Sequence, residues 1–353
     1  MRKTVVPGVW SWSRWQADRA LDFNGFFVEA AEGNFVVDPI EPGNELLADL
    51  KERGVASVVI SNRDHERATA AVVAATGAKV IASALDAPLL TGPVDRTVEP
   101  GELVHGWTVL GLDGFKTAGE IVLYDRARRT AIVGDALWGT PAGALTLMPD
   151  AKLADPARAA LSARQLRMYS LDNLLVGDGA CVFGNADDVI GAMLEARVGV
   201  AVERINLDEL RWIADQHDPK PFTGYSAEVG RLIGAQKLGY AVGKLRTGEH
   251  YCPYHWHTAE EELFVVMSGN PTLRTPRGTF ALRPGDFIAF PTGPVGAHRI
   301  WNDAEEDAVV VMIANMDASD ACYYPDSRKL MVGDPGAVLR DNPELDYFEG
   351  ETG

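Results

Sequence analysis

Four of the seven histidines, His250, His255, His257 and His298, fall between positions 250 and 298. His255 and His257 are two apart in YHWHT, so on a strand both imidazoles face the same side. Glu262 opens the next apolar run, EELFVVMSG, and His298 follows the turn-rich PGDFIAFPTGPVG. Three imidazoles and one carboxylate converging inside a small barrel suit a divalent transition metal, with positions left open for a ligand. His250 fits no ligand slot and reads as a rim residue. Tyr251, Cys252 and Trp256 read as packing, and Arg274, Arg283 and Arg299 as solvated surface. Glu261, beside Glu262, is the expected hydrogen-bonding support of the ligands.

A second stretch, ISNRDHERAT, closes the apolar run VASVVI. Strand ends that lead into a helix are where α/β folds keep their chemistry, yet this one carries an amide, carboxylates and a guanidinium where imidazoles are wanted.

The elements that must position these residues divide into two regimes. Up to about residue 200, strand-like and helix-like runs alternate. GFFVEAAEGNFVVDP reads as two strands around a turn, and NELLADLKERG as a helix stopped by Gly54. ERATAAVVAATG is a helix, AKVIAS a strand, and EIVLYDRARRTAIVGDAL two strands joined by a polar turn. DQHDPKPFTGYS breaks the pattern with prolines and glycine, as a linker does. Beyond it, short strands recur with Gly and Pro punctuation and no helices, which argues for a barrel or sandwich. The tail past about residue 325 is polar, acidic and poorly periodic.

HWHTAEEELFVVMSG resembles the first cupin motif, through His255, His257, Glu262 and Gly269. GDFIAFPTGPVGAHRIWN resembles the second, through Gly285, Pro291, Gly293, His298 and Asn302. Gly248 stands one residue further from the first histidine than is usual, and Gly293 to His298 is two longer than the shortest version. The resemblance implies a divalent transition metal (iron, manganese, zinc or nickel) held by His255, His257, Glu262 and His298.

The order of elements before residue 200 is similar to the metallo-β-lactamase fold. VVDP supplies the early Asp38, ISNRDHERAT stands at the histidine-rich motif, FKTAGEIVLY before the hairpin, VGDAL after it, and VGDG at the last loop. Carried over one by one, the ligands become Asn62, Asp64, Glu66, Arg67, Lys116 and Asp178, with Asp135 retained. His65 and His105, the only histidines in this half, match no ligand position. A two-zinc hydrolase of this family needs about five imidazoles, so this half cannot build that centre. We expect an ion-pair cluster instead, with Lys116 and Arg67 neutralising Asp64, Glu66, Asp135 and Asp178. A hard cation held by these carboxylates is the alternative.

The expected fold class is therefore α/β, an αββα metallo-β-lactamase-like sandwich, followed by an all-β cupin barrel, a double-stranded β-helix. The expected boundaries are 1–205 for the first domain, 206–226 for a linker or arm, and 227–353 for the second domain with its tail.

Composition narrows the partners. Fifty acidic against 33 basic residues give a net charge of -17, which repels a phosphate backbone and speaks against nucleic acid. No stretch approaches the ~18 apolar residues of a membrane span. Three scattered cysteines, Cys181, Cys252 and Cys322, suit a reducing cytoplasm. The reading is a metal-binding cupin protein, a homodimer, that binds or acts on a small polar molecule. If it is an enzyme, it belongs to the dioxygenase or isomerase class. The alternatives are a non-catalytic sensor of a small ligand, and an N-terminal hydrolase with unusual carboxylate ligands.

Overall fold

The computed structural model describes residues 1–197, 203–210, 212, 218–333 and 336–340. The chain forms two compact units, Met1–Arg211 and Trp212–Gly353.

In the N-terminal unit the strands run in the order Arg96–Val98, Lys79–Ser83, Ser57–Ile60, Phe35–Val37, Leu21–Val28, Asn173–Gly179, Thr130–Gly139, Ile121–Asp125, Trp107–Gly111, Leu103–Val104. The two halves of that order are joined between Leu21–Val28 and Asn173–Gly179 by a single registered pair, Phe23 with Asp178. Side-chain alternation explains the layers. Phe26, Val28, Phe35, Val37 and Val59 point to one side, where they meet Trp107, Val109, Ile121, Ile132 and Leu175 of the other half. Phe27, Val36 and Val58 point to the opposite side, against Leu50 and Val72 of the helices Asn44–Arg53 and Thr69–Thr76. Helices Pro156–Gln165 and Ala186–Glu195 pack on each other. The result is the helix–sheet–sheet–helix sandwich expected from the sequence. Each fully buried aliphatic or aromatic side chain in these layers contributes about 1.5–3 kcal/mol.

The helix after ISNRDHERAT starts only at Thr69, because a single 3-10 turn, Arg63–His65, comes first and Arg67 takes a positive φ of 35°. Both hairpins read from the sequence are present: Leu21–Val28 with Phe35–Val37, and Ile121–Asp125 with Thr130–Gly139. The strand Val9–Gln16, which pairs along its whole length with Leu21–Val28, has no counterpart in the sequence reading.

The C-terminal unit is built from three sheets. Five strands run in the order Tyr225–Ala227, Leu238–Leu245, Ala308–Asn315, Glu262–Ser268, Phe287–Phe290. A three-stranded sheet orders Gly278–Ala281, Thr272–Thr275 and Arg299–Trp301, and Leu273 and Ile300 from it pack against Phe264, Val266, Val310 and Met312 of the first. The third sheet orders Trp256–His257, Ala321–Tyr324, Lys329–Val332 and Ala337–Arg340. The segment past 325, which carries no clear period in sequence, thus supplies two strands. Their side chains are mostly half-exposed or exposed, so no apolar alternation marks them. Of the expected linker, residues 211 and 213–217 lie outside the described residues, as do 341–353 of the expected tail. Tyr225–Ala227, at the linker's end, is an edge strand of the five-stranded sheet.

Candidate functional site

His255 and His298 face each other across an antiparallel bridge closed by two backbone hydrogen bonds, His255 N to His298 O (3.1 Å) and His298 N to His255 O (2.8 Å). His257 lies at the end of the short strand Trp256–His257, and Glu262 begins Glu262–Ser268. One stretch, 255–262, and the remote His298 therefore deliver four side chains to one place. Ligand atoms of His255, Glu262 and His298 lie within 4.8 Å of one another. Glu262 Oε2 is 3.3 Å from His298 Nε2 and 3.6 Å from His257 Nε2.

The Nδ1 atoms settle the tautomers. His255 Nδ1 meets Pro253 O at 2.9 Å, and His298 Nδ1 meets Gly296 O at 3.0 Å. A carbonyl oxygen only accepts, so both Nδ1 atoms carry the proton and both Nε2 atoms present a lone pair. His257 Nδ1 donates to Asp320 Oδ2 at 2.6 Å. Burial alone would raise the Asp320 carboxyl, but His257 and the N–H groups of Ala259 and Glu260 hold it below its ordinary value. All three imidazoles are thus tied on one nitrogen, and His257 and His298 turn the other toward Glu262.

Burial sets the charge state. It pushes His255 down to about 4, helped by His257, and His298 down to about 3, helped by His255. Burial also pushes Glu262 up to about 7 against the opposing pull of His257. Glu262 Oε2 and His298 Nε2 are buried with no hydrogen-bond partner among the described residues. Orphaned buried acceptors of this kind are costly unless a cation or donor meets them. The donor set and the orphaned atoms fit a divalent metal.

The walls are aromatic. Phe290 stacks on His298 with centroids 3.7 Å apart, Phe264 meets it edge-on at 5.2 Å, and Tyr324 stacks 5.8 Å from His255. Glu261 does not support the ligands. It is exposed, and its backbone N–H rather than its carboxylate is engaged, by Asn315. Its neighbour along the strand already points inward, and alternation sends Glu261 outward. Asp320 takes that role from 63 positions beyond His257. Two further groupings share these residues: His255, His257 and Cys322, and His257, Glu260 and Asp320. His250 packs between Phe222 and Trp301 instead of reaching the cage. Arg274 is bound to Asp326 and stacked over Tyr254.

In the N-terminal unit the substituted motif forms a network of ion pairs. Arg67 Nη2 donates to Asp178 Oδ1 at 2.8 Å and to His65 Nε2 at 2.8 Å. Lys116 is paired with Asp64. Asn62 Nδ2 donates toward Asp135 Oδ1 (3.2 Å) and Glu120 Oε1 (3.3 Å). Glu66 is not part of this network. It turns away and caps the loop beyond, accepting from Thr91 N, Thr91 Oγ1 and Gly92 N. His65 takes the inward place, because the 3-10 turn rotates it toward Asp38, whose Oδ2 lies 2.8 Å from His65 Nδ1. His65 matches no ligand of the motif and was therefore passed over in sequence, as was Glu120. Burial first, then Asp135, raises Glu120 well above its ordinary value. Burial also raises Asp135, with His65 opposing and Asp178 assisting. Close backbone approach holds the network together: a Cβ on Gly134 would stand 2.3 Å from Ser61 Oγ, and one on Gly177 2.7 Å from His65 Cε1. Among the described residues, the groupings able to hold a metal all lie in the C-terminal unit.

Residues 1–196 match the family model of the metallo-beta-lactamase superfamily, and residues 241–314 match the cupin domain. Solved structures share parts of the chain. A metallo-beta-lactamase from Pontibacter korlensis is 19% identical, with 55% of this chain and 98% of that one covered at a TM-score of 0.46. TTHA1623, in a di-iron-bound form, is 25% identical over 53% of this chain and 97% of its own, at 0.41. A cupin-superfamily sugar phosphate isomerase from Silicibacter pomeroyi is 22% identical over 41% of this chain and 97% of its own, at 0.36. No curated protein matches. By the match to more than half of its length, the chain belongs to the metallo-beta-lactamase superfamily, and it carries a cupin domain behind that fold.

Proposed function

We infer that the C-terminal unit is a metal-binding cupin that binds or acts on a small polar molecule, and that the N-terminal unit keeps a hydrolase fold without its metal chemistry. His255, His257, Glu262 and His298 hold the divalent ion, whose contribution is to act as a Lewis acid and substrate template. The observation that carries this reading is that all three imidazoles are held by Nδ1, with His257 Nε2 and His298 Nε2 turned to Glu262 and a ring nitrogen of His255 within 4.8 Å of it. Pro253 O, Asp320 and Gly296 O hold the rings in that orientation and enforce the ligating tautomer. Phe264, Phe290 and Tyr324 limit water around them. Three free cysteines support a reducing compartment, and exposed Phe287 on an outer strand of the five-stranded sheet supports a homodimer.

The test is the metal content of the purified full chain against a His255→Ala/His257→Ala variant. The reading expects about one bound ion per chain in the first and none in the second. A wild-type protein that stays metal-free after exposure to iron, manganese, zinc and nickel would sink it.

A further inference from the structure

The pair network of the N-terminal unit borders a cavity of about 170 Å³. Cavities of roughly 150 Å³ admit a benzene ring, so the space accepts a ring-sized molecule. Its charge is out of character with a chain of net charge -17. Four cationic side chains, Arg19, Arg67, Lys116 and Lys152, line it against three carboxylates, Asp64, Asp135 and Asp178.

The pairings show which cations are committed. Lys116 is held by Asp64 and Arg67 by Asp178. Arg19 reaches Asp178 only at 4.0 Å and is 45% exposed. Lys152 makes no ion pair among the described residues; its Nζ lies over the Trp138 ring, 5.5 Å from the centroid. Asp135 accepts from Asn62 Nδ2 at 3.2 Å, which engages one of its oxygens away from the cations. Arg67 Nη1 and Trp138 Nε1 are buried donors with no acceptor among the described residues. Phe23, Trp138 and Met148 give the same cavity an apolar wall.

We propose that this cavity is a metal-free binding site for a small organic anion, a carboxylate or phosphate ester, with a ring-sized apolar part. The anionic group sits between Lys152 and Arg19, the least committed cations, where Arg67 Nη1 and Trp138 Nε1 offer donors that lack an acceptor among the described residues. The apolar part lies against Phe23, Trp138 and Met148. Arg67 and Lys116, locked by their carboxylates, shape the floor and keep the field positive. A neutral ligand of the same shape gains only the apolar contact, so charge decides selectivity.

The experiment is isothermal titration of the full chain with benzoate, with phenyl phosphate, and with benzamide as the uncharged control. Wild type should bind at least one of the two anions saturably at one site per chain, the tighter of them identifying the head group, and benzamide at least tenfold more weakly. Lys152→Ala, an exposed position whose loss leaves the packing intact, should weaken the anion at least tenfold. A His255→Ala/His257→Ala variant should bind it as wild type does. No saturable binding of either anion, equal binding of benzamide, unchanged affinity in Lys152→Ala, or loss in the double histidine variant would each overturn the proposal.

Discussion

Asp320 Oδ2 stands 2.6 Å from His257 Nδ1, and the other oxygen of the same carboxylate accepts from the backbone N–H groups of Ala259 and Glu260. One side chain thus orients the ring of His257 and holds the loop that leads from His257 to Glu262. The two side chains, His257 and Glu262, approach each other at 3.6 Å.

Removing that carboxylate frees the His257 ring to rotate and to place its proton on either nitrogen. Groups that orient ligating histidines are worth about 10–100-fold in metal affinity. Asp320→Ala should weaken divalent-metal binding by about that factor, while Glu261→Ala leaves it unchanged. Competition against a chromogenic chelator reads both. Equal effects of the two substitutions would show that Asp320 does not orient the His257 ring.

The glycine at 134 carries a steric prediction. Its strand is interior to the sheet, and a methyl group there would lie 2.3 Å from Ser61 Oγ and 2.6 Å from Asn62 Nδ2. Neither neighbour can retreat, since both are fully enclosed. Gly134→Ala should destabilise by about 1–3 kcal/mol through overpacking. Gly43→Ala, with nothing within 4 Å of the added carbon, loses only the N-cap preference of the helix Asn44–Arg53 and should cost less in urea titration.

Glu120 gives a pH prediction with a definite sign. Unfolded, it titrates near its ordinary 4.5; folded, burial and then Asp135 hold it well above that. The folded chain keeps a proton that the unfolded chain has released, so stability is full below the ordinary value and declines as pH rises toward the folded one. Asp38 runs the opposite way. Burial opposes the shift, but His65 and Ser61 hold its carboxyl below 3.8, so its share is lost only in stronger acid. Between pH 5 and 8 Glu120 therefore contributes a decline, and a substitution at this one position isolates it from the buried groups of the C-terminal unit that titrate in the same window. Glu120→Gln should raise the melting temperature more at pH 8 than at pH 5. Shifts of equal size at the two pH values would contradict the assignment.

How much of this was legible in the sequence depends on what each residue answers to. The clustering of His255, His257 and Glu262 was legible because they are local in sequence and strand alternation alone puts the two imidazoles on one side. Asp320 was not, because its partner is 63 positions away and the polar turn around it carries no period. The sandwich layers followed from apolar runs such as VASVVI. The two strands past residue 325 did not, because most of their side chains are half-exposed or exposed. Motif matching assigned Glu66 to the N-terminal network by counting positions. The 3-10 turn at Arg63–His65 breaks that count, moving Glu66 outward and His65 inward, and spacing alone cannot show it.

The contacts of Arg67 lead to the last prediction. A guanidinium only donates, so in the contact between Arg67 Nη2 and His65 Nε2 the ring nitrogen accepts, while His65 Nδ1 faces Asp38. Arg67 therefore satisfies two buried acceptors, His65 Nε2 and the Asp178 carboxylate, whose side chain is 1% exposed. Removing one member of a buried pair strands the other and costs about 3–5 kcal/mol. Arg67→Ala and Asp178→Ala should each destabilise the N-terminal unit by about that much. The double variant should cost clearly less than the two together, because the second substitution removes the stranded charge. Urea unfolding of the four proteins closes the cycle. Strict additivity would mean that the two side chains are neighbours without being partners, and the ion pair would then not be what replaces metal charge in this fold.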